Sequence, residues 1–182
     1  MPNSPSRFPQ FFFRVSACHM VTYVAAGLLA YTIFDYQAFF REPPLAAYMK
    51  PTSSPWVAAG PGLQIIRGLI FAVVLYPFRA VFLDRPKGWL ALWGLFVGLA
   101  ILSTAGPAPG SVEGFVYTTL TPMQHLRGLP EVLLQTLLTS VLLVSWYRAP
   151  GRAWNWGMGA GAVLVILMSV MALAIPRPET FR

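Results

Sequence analysis

Long apolar segments alternate with short patches rich in Pro, Gly, Trp and Arg along the chain. Each apolar segment reaches or nearly reaches the ~20 residues that an α-helix needs to cross about 30 Å of hydrocarbon. The segments occupy residues 15–34, 63–82, 88–104, 131–146 and 156–175. The pattern therefore predicts an all-α integral membrane protein built as a bundle of about five transmembrane helices.

The two longest connections between these segments are apolar and aromatic for loops, and they occupy residues 35–62 and 105–130. Connections of about 25 residues in a compact domain are usually functional or disordered, and this aromatic content disfavours disorder. A serine followed by Pro55 is typical of a helix start, and Thr121 with Gln124 matches a capping box. We therefore expect both connections to form caps with short interfacial helices on the outer side.

The composition agrees with lipid as the solvent, since 56% of the 182 residues are hydrophobic and 10% are charged. No hydrophilic stretch is long enough for a second, soluble domain, so a single transmembrane domain over residues 1–182 is predicted. The net charge of +7 would suggest nucleic acid as a partner of a soluble protein. Here the basic residues lie at segment ends, so we expect membrane lipids and no nucleic acid as partners.

The distribution of basic residues also predicts the orientation. With the N-terminus inside, seven of the 13 basic residues fall in inner segments and five in outer ones, with Arg67 set aside because it lies within a span. Short inner loops that are dense in Arg and Lys favour this arrangement. We expect a multi-pass protein of a bacterial inner membrane, with its N-terminus in the cytoplasm and no cleaved signal peptide.

Polar residues inside the predicted spans mark a candidate site, because ionisable groups in hydrocarbon normally face a bundle interior or an aqueous cavity. Gln64 and Arg67 are three residues apart and share a helix face, as do Glu131 and Gln135 at a spacing of four. We expect Arg67 to pair with Glu131 or Glu113 beneath the outer caps. The predicted ligand-binding set is Gln64, Arg67, Glu113, His125, Glu131 and Gln135.

Simpler explanations exist for several of these residues. Arg67 would reach the outer headgroups if its helix starts only about 9 Å away, at 1.5 Å per residue. Glu131 near a helix N-terminus is favoured by the helix dipole alone. His125 in a short amphipathic helix is most often a surface residue.

Several kinds of chemistry are excluded by the residues available. A haem held by two histidines is not expected, because His19 is predicted near the inner end of its span and His125 in an outer cap. Zinc needs three or four clustered ligands, and the chain has no such spacing. Cys18 is the single cysteine, so it forms neither an internal disulfide nor a redox pair. No cofactor and no metal is therefore expected.

Cys18 also ends a short stretch that is similar to a lipoprotein cleavage site. Arg14 interrupts the apolar run before it, and the run continues well past the cysteine. We therefore interpret Cys18 as a small packing residue, with lipidation as the alternative.

Glycine pairs at a spacing of four allow helices to approach closely. Gly94 and Gly98 form one such pair, and Gly157 and Gly161 form another. Packing inside the bundle is the favoured interpretation, and a seam between copies in a homo-oligomer is the alternative.

Three functions remain open. The leading hypothesis is binding or transport of a small polar or anionic solute in an outward-facing pocket lined by the predicted ligand-binding set. A second is a non-catalytic membrane subunit that packs into a larger complex through its glycines. A third is a lipid-modifying enzyme in which His125 and Glu113 or Glu131 act as acid and base.

Overall fold

A computed structural model describes residues 7–174, and every regular element in that range is helical. The elements, in chain order, are α1 (Phe8–Phe34), α2 (Tyr36–Phe39), α3 (Pro55–Leu75), α4 (Arg79–Leu83), α5 (Gly88–Leu95), α6 (Val112–Tyr117), α7 (Pro122–Arg127), α8 (Leu129–Arg148) and α9 (Arg152–Ala174). A single 3₁₀ turn covers Leu45–Ala47, and α5 continues as a π-helix over Phe96–Leu102. Residues 1–6 and 175–182 of the predicted domain lie outside the described range, including the last residue of the fifth predicted span.

Four helical segments are long and apolar enough to cross a membrane. They are α1, α3, α9 and the run Pro122–Arg148 that joins α7 to α8. The class of all-α membrane protein is therefore supported by length and composition. The third predicted segment, Gly88–Leu102, is a shorter apolar helix, so the count of five spans stays a prediction.

α1 begins seven residues before the predicted start of the first span. Arg7 has the extended backbone of an N-cap residue, and Pro9 sits in the first turn, where a proline costs no hydrogen bond. Arg14, which interrupts the apolar run in the sequence, lies inside the helix. Its guanidinium stacks on the rings of Trp146 and Tyr147, at 5.5 and 5.9 Å. The earlier start places residues in the first half of α1, such as Arg14, farther from the beginning of the helix than expected.

α3 also begins before its predicted position. It starts at Pro55 rather than near residue 63, and Pro61 is accommodated inside it. The first outer connection is correspondingly shorter, and we call residues 35–54 the first cap. Residues 103–128 form the second cap.

The core lies where α1 meets the other long helices. α1 packs against α3, α8 and α9, while α5 packs against the far side of α8. Large fully buried side chains at this centre are Trp146, Phe11, Met20, Leu92 and Leu143. α1 and α8 therefore form the middle of the bundle, with α3, α5 and α9 around them.

α5 runs antiparallel to α8. Arg148, at the end of α8, lies near the start of α5. It donates hydrogen bonds to the carbonyls of Leu83 and Pro86, at 3.3 and 3.1 Å. Further along, the Trp93 indole N–H donates to the Leu133 carbonyl at 3.2 Å, close to the start of α8. The two caps lie at that same end of the bundle, which we call the cap end.

The glycine pairs do not pack as expected. A Cβ at Gly94, Gly98 or Gly157 would meet nothing within 4 Å, so packing inside the bundle is the wrong interpretation for these three. Gly161 does pack inside, with Val21 3.0 Å from the position of its missing Cβ. Tight glycine contacts between long helices are instead at Gly62, where α3 lies against α9, and at Gly68, where α3 lies directly against α1.

Gly68→Ala tests that contact. The added Cβ would lie 2.5 Å from Ser16 Oγ and 2.8 Å from Ser16 Cα, so α1 and α3 must separate. We expect a loss of about 1–3 kcal/mol, the usual cost of overpacking, measured as a lower unfolding temperature in detergent. Gly60→Ala on the same helix is the matched control, because its Cβ meets nothing within 4 Å. Equal stability of the two variants would contradict the close approach.

Candidate functional site

His19 lies at the centre of a polar cluster between α1, α3 and α8. Its Nε2 is 3.1 Å from the Gln64 Oε1, and its Nδ1 is 3.1 Å from the Gln135 Nε2. The side chain is 3% exposed. Gln64 of α3 and Gln135 of α8 thus each place one side-chain amide against a ring nitrogen of the buried imidazole.

The hydrogen-bond pattern fits a neutral imidazole with its proton on Nε2. That N–H donates to the Gln64 carbonyl oxygen, and the Gln135 amide donates to the free Nδ1. Gln64 also donates from its amide nitrogen to the Gly60 carbonyl at 3.4 Å. Both ring nitrogens are therefore satisfied inside the bundle, as a buried polar group requires.

Two buried threonines extend the polar cluster along the seam of α1 and α8. The hydroxyls of Thr22 and Thr139 lie 2.7 Å apart. Each hydroxyl is also within hydrogen-bond distance of a carbonyl one turn back in its own helix, Thr22 of Cys18 and Thr139 of Gln135. Because each hydroxyl has one hydrogen, two of these three hydrogen bonds form at a time. Hydroxyls that bond their own helix tolerate an apolar environment, so these two are held without a solvent contact.

A crevice of about 170 Å³ opens beside His19, between α3 and the π-helix that follows α5. Its polar lining consists of His19, Arg67, Thr104, Gln135, Thr136 and Thr139, and its apolar lining includes Phe71, Phe96, Ala108 and Pro109. Five parts of the chain therefore meet around it: α1, α3, the π-helix, α8 and the second cap.

Arg67 lines this crevice without a carboxylate partner. Within residues 7–174 the single ion pair joins Arg127 to Glu42 at 3.0 Å. The expected pair between Arg67 and Glu131 or Glu113 is therefore wrong. The Arg67 guanidinium instead lies 5.5 Å from the centre of the Phe71 ring.

The depth of Arg67 also counts against a headgroup contact at the membrane surface. Because α3 begins at Pro55, Arg67 is about 18 Å from the start of the helix and about 12 Å from its end, at 1.5 Å per residue. An arginine side chain spans less than either distance. The Arg67 side chain is exposed near the middle of a helix of membrane-spanning length, where it lines the polar crevice.

Glu131 bonds Tyr36 and not Arg67. Tyr36, in the short helix of the first cap, donates its phenolic hydrogen to a carboxylate oxygen of Glu131. Burial above all, and then this hydrogen bond and the charge of Glu131, raise the pKa of Tyr36. The phenol therefore remains protonated and continues to donate to the carboxylate.

His125 lies inside the second cap. It is buried, its Nδ1 accepts the Gly110 N–H at 3.1 Å, and its ring stacks on Phe115 with centres 4.0 Å apart. Gly110 has a φ of 84°, which favours glycine, so the turn and the histidine fit one another. The expectation of a surface histidine is wrong.

The two caps are joined to one another. The predicted capping box of Thr121 and Gln124 is confirmed, and Gln124 also donates to the Pro43 carbonyl at 3.1 Å. Arg127 pairs with Glu42 and donates to the Phe34 carbonyl at 3.1 Å. Polar contacts between distant parts of the chain hold both connections in place over the bundle.

The structure separates the six predicted ligand-binding residues into different places. Arg67 and Gln135 line the crevice, and Gln64 contacts it through His19. The other three, which do not line it, are Glu113, His125 and Glu131. Glu113 lies half-buried in the first turn of α6.

Sequence reasoning missed His19 because it placed the residue near the inner end of a span starting at 15. The sequence signal for the true helix start is Pro9, because proline is favoured in the first turn of a helix and α1 begins at Phe8. His19 then lies about 16 Å from that start, near mid-depth, on a face shared with Thr22 and Tyr23.

No group of three or more His, Cys, Asp or Glu side chains in the described part of the chain is arranged to hold a metal ion. No protein-family model matches the chain, and searches of curated proteins and of solved structures find no match either.

Proposed function

We propose that the protein binds, and as a transporter would move, a small anionic solute in the crevice beside His19. The observation that carries this proposal is the guanidinium of Arg67, which has no carboxylate within 4.0 Å in the described part of the chain. An isolated cation at mid-depth of a membrane is costly, and an anionic ligand would offset that cost.

The chemistry of the crevice supports an oxyanion or a carboxylate as the ligand. A guanidinium presents a planar fork of N–H groups that matches the two oxygens of such a group. Gln135 supplies one further donor along the same lining, since one of its two amide hydrogens is bonded to His19. The hydroxyls of Thr104 and Thr136 already donate to the carbonyls of Gly106 and Val132. The free donors thus come from α3 and α8.

The size of the crevice limits the ligand. A volume of about 170 Å³ is close to that of cavities of about 150 Å³ that hold a benzene-sized molecule. One inorganic phosphate or one short carboxylate fits this space, whereas a whole lipid does not.

The topology that we propose for transport has five crossings, with the caps outside. Gly88–Leu102 would be the short fifth crossing, since it runs along α8 from one end of the bundle towards the other. The rings of Phe71 on α3 and Phe96 on the π-helix lie 5.0 Å apart beside the crevice. Separation of these two rings would open the crevice sideways between α3 and α5.

A specific observation favours a second function, that of a subunit in a larger membrane complex or homo-oligomer. Gly94 on α5, Gly98 on the π-helix that continues it, and Gly157 on α9 have open space beside them. In membranes, glycines at such positions allow another helix to approach closely.

A lipid-modifying enzyme has less support. The Nδ1 of His125 accepts a backbone N–H, and its Nε2 lies 3.4 Å from the Thr118 hydroxyl. Glu131 is bonded to Tyr36 instead. No acid–base pair of the expected kind is formed by these residues.

Arg67→Gln tests the proposed anion site. The purified protein in detergent would be heated with sodium phosphate or sodium acetate, and bound anion would raise the unfolding temperature. We expect the variant to lose at least about tenfold in affinity for the anion, since one charge-assisted contact contributes about 1.5–3 kcal/mol. Arg67→Lys should recover part of the affinity, because it keeps the charge and loses the fork.

Arg152→Gln is the matched control, because Arg152 is an exposed arginine at the start of α9, away from the crevice. It should bind the anion as the parent does. Nanodiscs of phosphatidylglycerol or of phosphatidylcholine distinguish the source of the anion, since a lipid headgroup ligand would stabilise the protein only in the former. Equal anion affinity of Arg67→Gln and the parent would contradict the proposal.

A further inference from the structure

A second and larger cavity lies farther along α1 than the crevice, since it is lined by residues 23–31 of that helix and the crevice by His19. It has a volume of about 520 Å³ and sits at the cap end between α1, α3, α9 and the first cap. This volume is within the range of about 300–1,000 Å³ that is typical of small-molecule sites. The residues that line it are Tyr23, Val24, Gly27, Leu28, Tyr31, Tyr36, Phe40, Thr52, Val57, Ala58, Pro61, Glu131, Val165, Met168, Ser169 and Ala172.

This lining carries one acidic side chain and, among the described residues, no basic one. Glu131 accepts one hydrogen bond, from Tyr36, on one of its two carboxylate oxygens. Its other oxygen lies 3.4 Å from the position that a Cβ on Gly27 would take, so the glycine leaves the carboxylate room beside α1. The nearby Arg127 is already paired with Glu42. The cavity therefore holds a negative charge that the described chain does not neutralise by direct contact.

Aromatic rings surround the same cavity. Tyr23, Tyr31, Tyr36 and Phe40 all contribute to its lining. Tyr36 and Phe40 stack with ring centres 5.4 Å apart, which holds the two rings as one wall. Ring faces attract cations, and several rings beside a carboxylate are a recurring means of holding a quaternary ammonium group.

The remaining wall is aliphatic. Val165 and Met168 of α9, and Val24 and Leu28 of α1, are among its aliphatic lining residues. A ligand that fills the cavity thus needs a cationic centre and apolar substituents. A small inorganic cation would leave this apolar surface uncovered.

We propose that this cavity binds a lipophilic organic cation, such as a quaternary ammonium or phosphonium compound. Glu131 and the aromatic wall hold the charged centre, and the aliphatic wall of α1 and α9 contacts its apolar substituents. The site has the opposite charge preference to the crevice beside His19, and it uses none of that crevice's lining residues. The cation proposal can therefore be tested independently of the anion proposal.

The test uses two probes of nearly the same size and shape and of opposite charge, tetraphenylphosphonium and tetraphenylborate. Each is measured by equilibrium dialysis against the protein in phosphatidylcholine nanodiscs, with empty nanodiscs subtracted. The expected result is saturable binding of tetraphenylphosphonium at one site per chain, and at least about tenfold weaker binding of tetraphenylborate, which is a difference of about 1.4 kcal/mol or more. Equal affinity for both probes, or no saturable binding of the phosphonium, would overturn the proposal.

Two variants locate the site. Glu131→Gln keeps the shape of the side chain and should weaken phosphonium binding at least about tenfold, since the attraction of a carboxylate in a cavity is lost. Asp84→Asn, which removes an exposed carboxylate after α4 at the end of the bundle opposite the caps, should leave phosphonium binding within about twofold of the parent. Unchanged binding by a folded Glu131→Gln protein would refute the site. If that variant does not fold, the comparison of the two probes on the parent protein decides the matter.

Discussion

His19→Leu is expected to lose about 2–4 kcal/mol of stability, because it leaves two buried glutamine amides without their shared partner. Gln64 and Gln135 each bond one ring nitrogen of His19 at 3.1 Å. A buried polar group left unsatisfied costs about 1–3 kcal/mol, and in membrane proteins the individual hydrogen bonds are at the low end of this scale. Thermal unfolding in detergent measures the loss.

The same variant should also lose binding of phosphate or acetate in the crevice. His19 lines that crevice and holds Gln135, which lines it too. We expect at least about a tenfold loss of affinity, equivalent to about 1.4 kcal/mol. The thermal shift with added anion reports it.

A triple variant separates the two roles of this cluster. His19→Leu combined with Gln64→Leu and Gln135→Leu removes every partner at once, and apolar replacement of a complete polar set is often close to neutral. Stability should recover towards that of the parent, while anion binding stays lost. Parent-like stability of His19→Leu alone would show that His19 does not hold the amides, and anion binding by the triple variant would exclude this crevice as the site.

Gly114→Ala is expected to disrupt the second cap, with a loss of about 3 kcal/mol as for other overpacked sites. A Cβ at Gly114 would lie 2.0 Å from the Ala108 carbonyl oxygen and 3.1 Å from the His125 ring. Backbone cannot rotate away as a side chain can, so the loop that carries Ala108 must move. Ala108 and the adjacent Pro109 line the crevice, and the anion affinity should therefore fall with the stability.

Gly106→Ala in the same loop is the control for this effect. A Cβ there meets nothing within 4 Å, so stability and anion binding should remain those of the parent. Both properties are read from unfolding temperatures with and without phosphate. If Gly114→Ala matched Gly106→Ala in both, the second cap would not form a wall of the crevice.

The local signals in the chain predicted several elements well. Thr121 and Gln124 predicted a capping box that is present with both of its hydrogen bonds. Pro55 predicted the start of a helix, and it is the first residue of α3. These features depend on neighbours within one turn, which is the range over which capping and proline geometry act.

The candidate site was predicted less well, since its residues come from distant segments. Arg67 and Gln135 were predicted to belong together, and both line the crevice. Glu131 was the wrong partner for Arg67, because Tyr36 from the first cap bonds Glu131 instead. No rule of spacing along one helix contains that contact, which joins residues 95 positions apart in the sequence.

The amino-acid order alone indicated lipid as the solvent and helices as the class of fold, because a helix satisfies the backbone of an apolar run of membrane length within the run itself. Only the tertiary structure decided how these helices share their polar groups. His19 became the centre of the site because packing of α1 against both α3 and α8 brings an amide to each of its nitrogens. A buried polar group needs a hydrogen-bond partner, and that partner comes from whichever segment the fold packs beside it. The spacing of residues along one helix does not specify that segment.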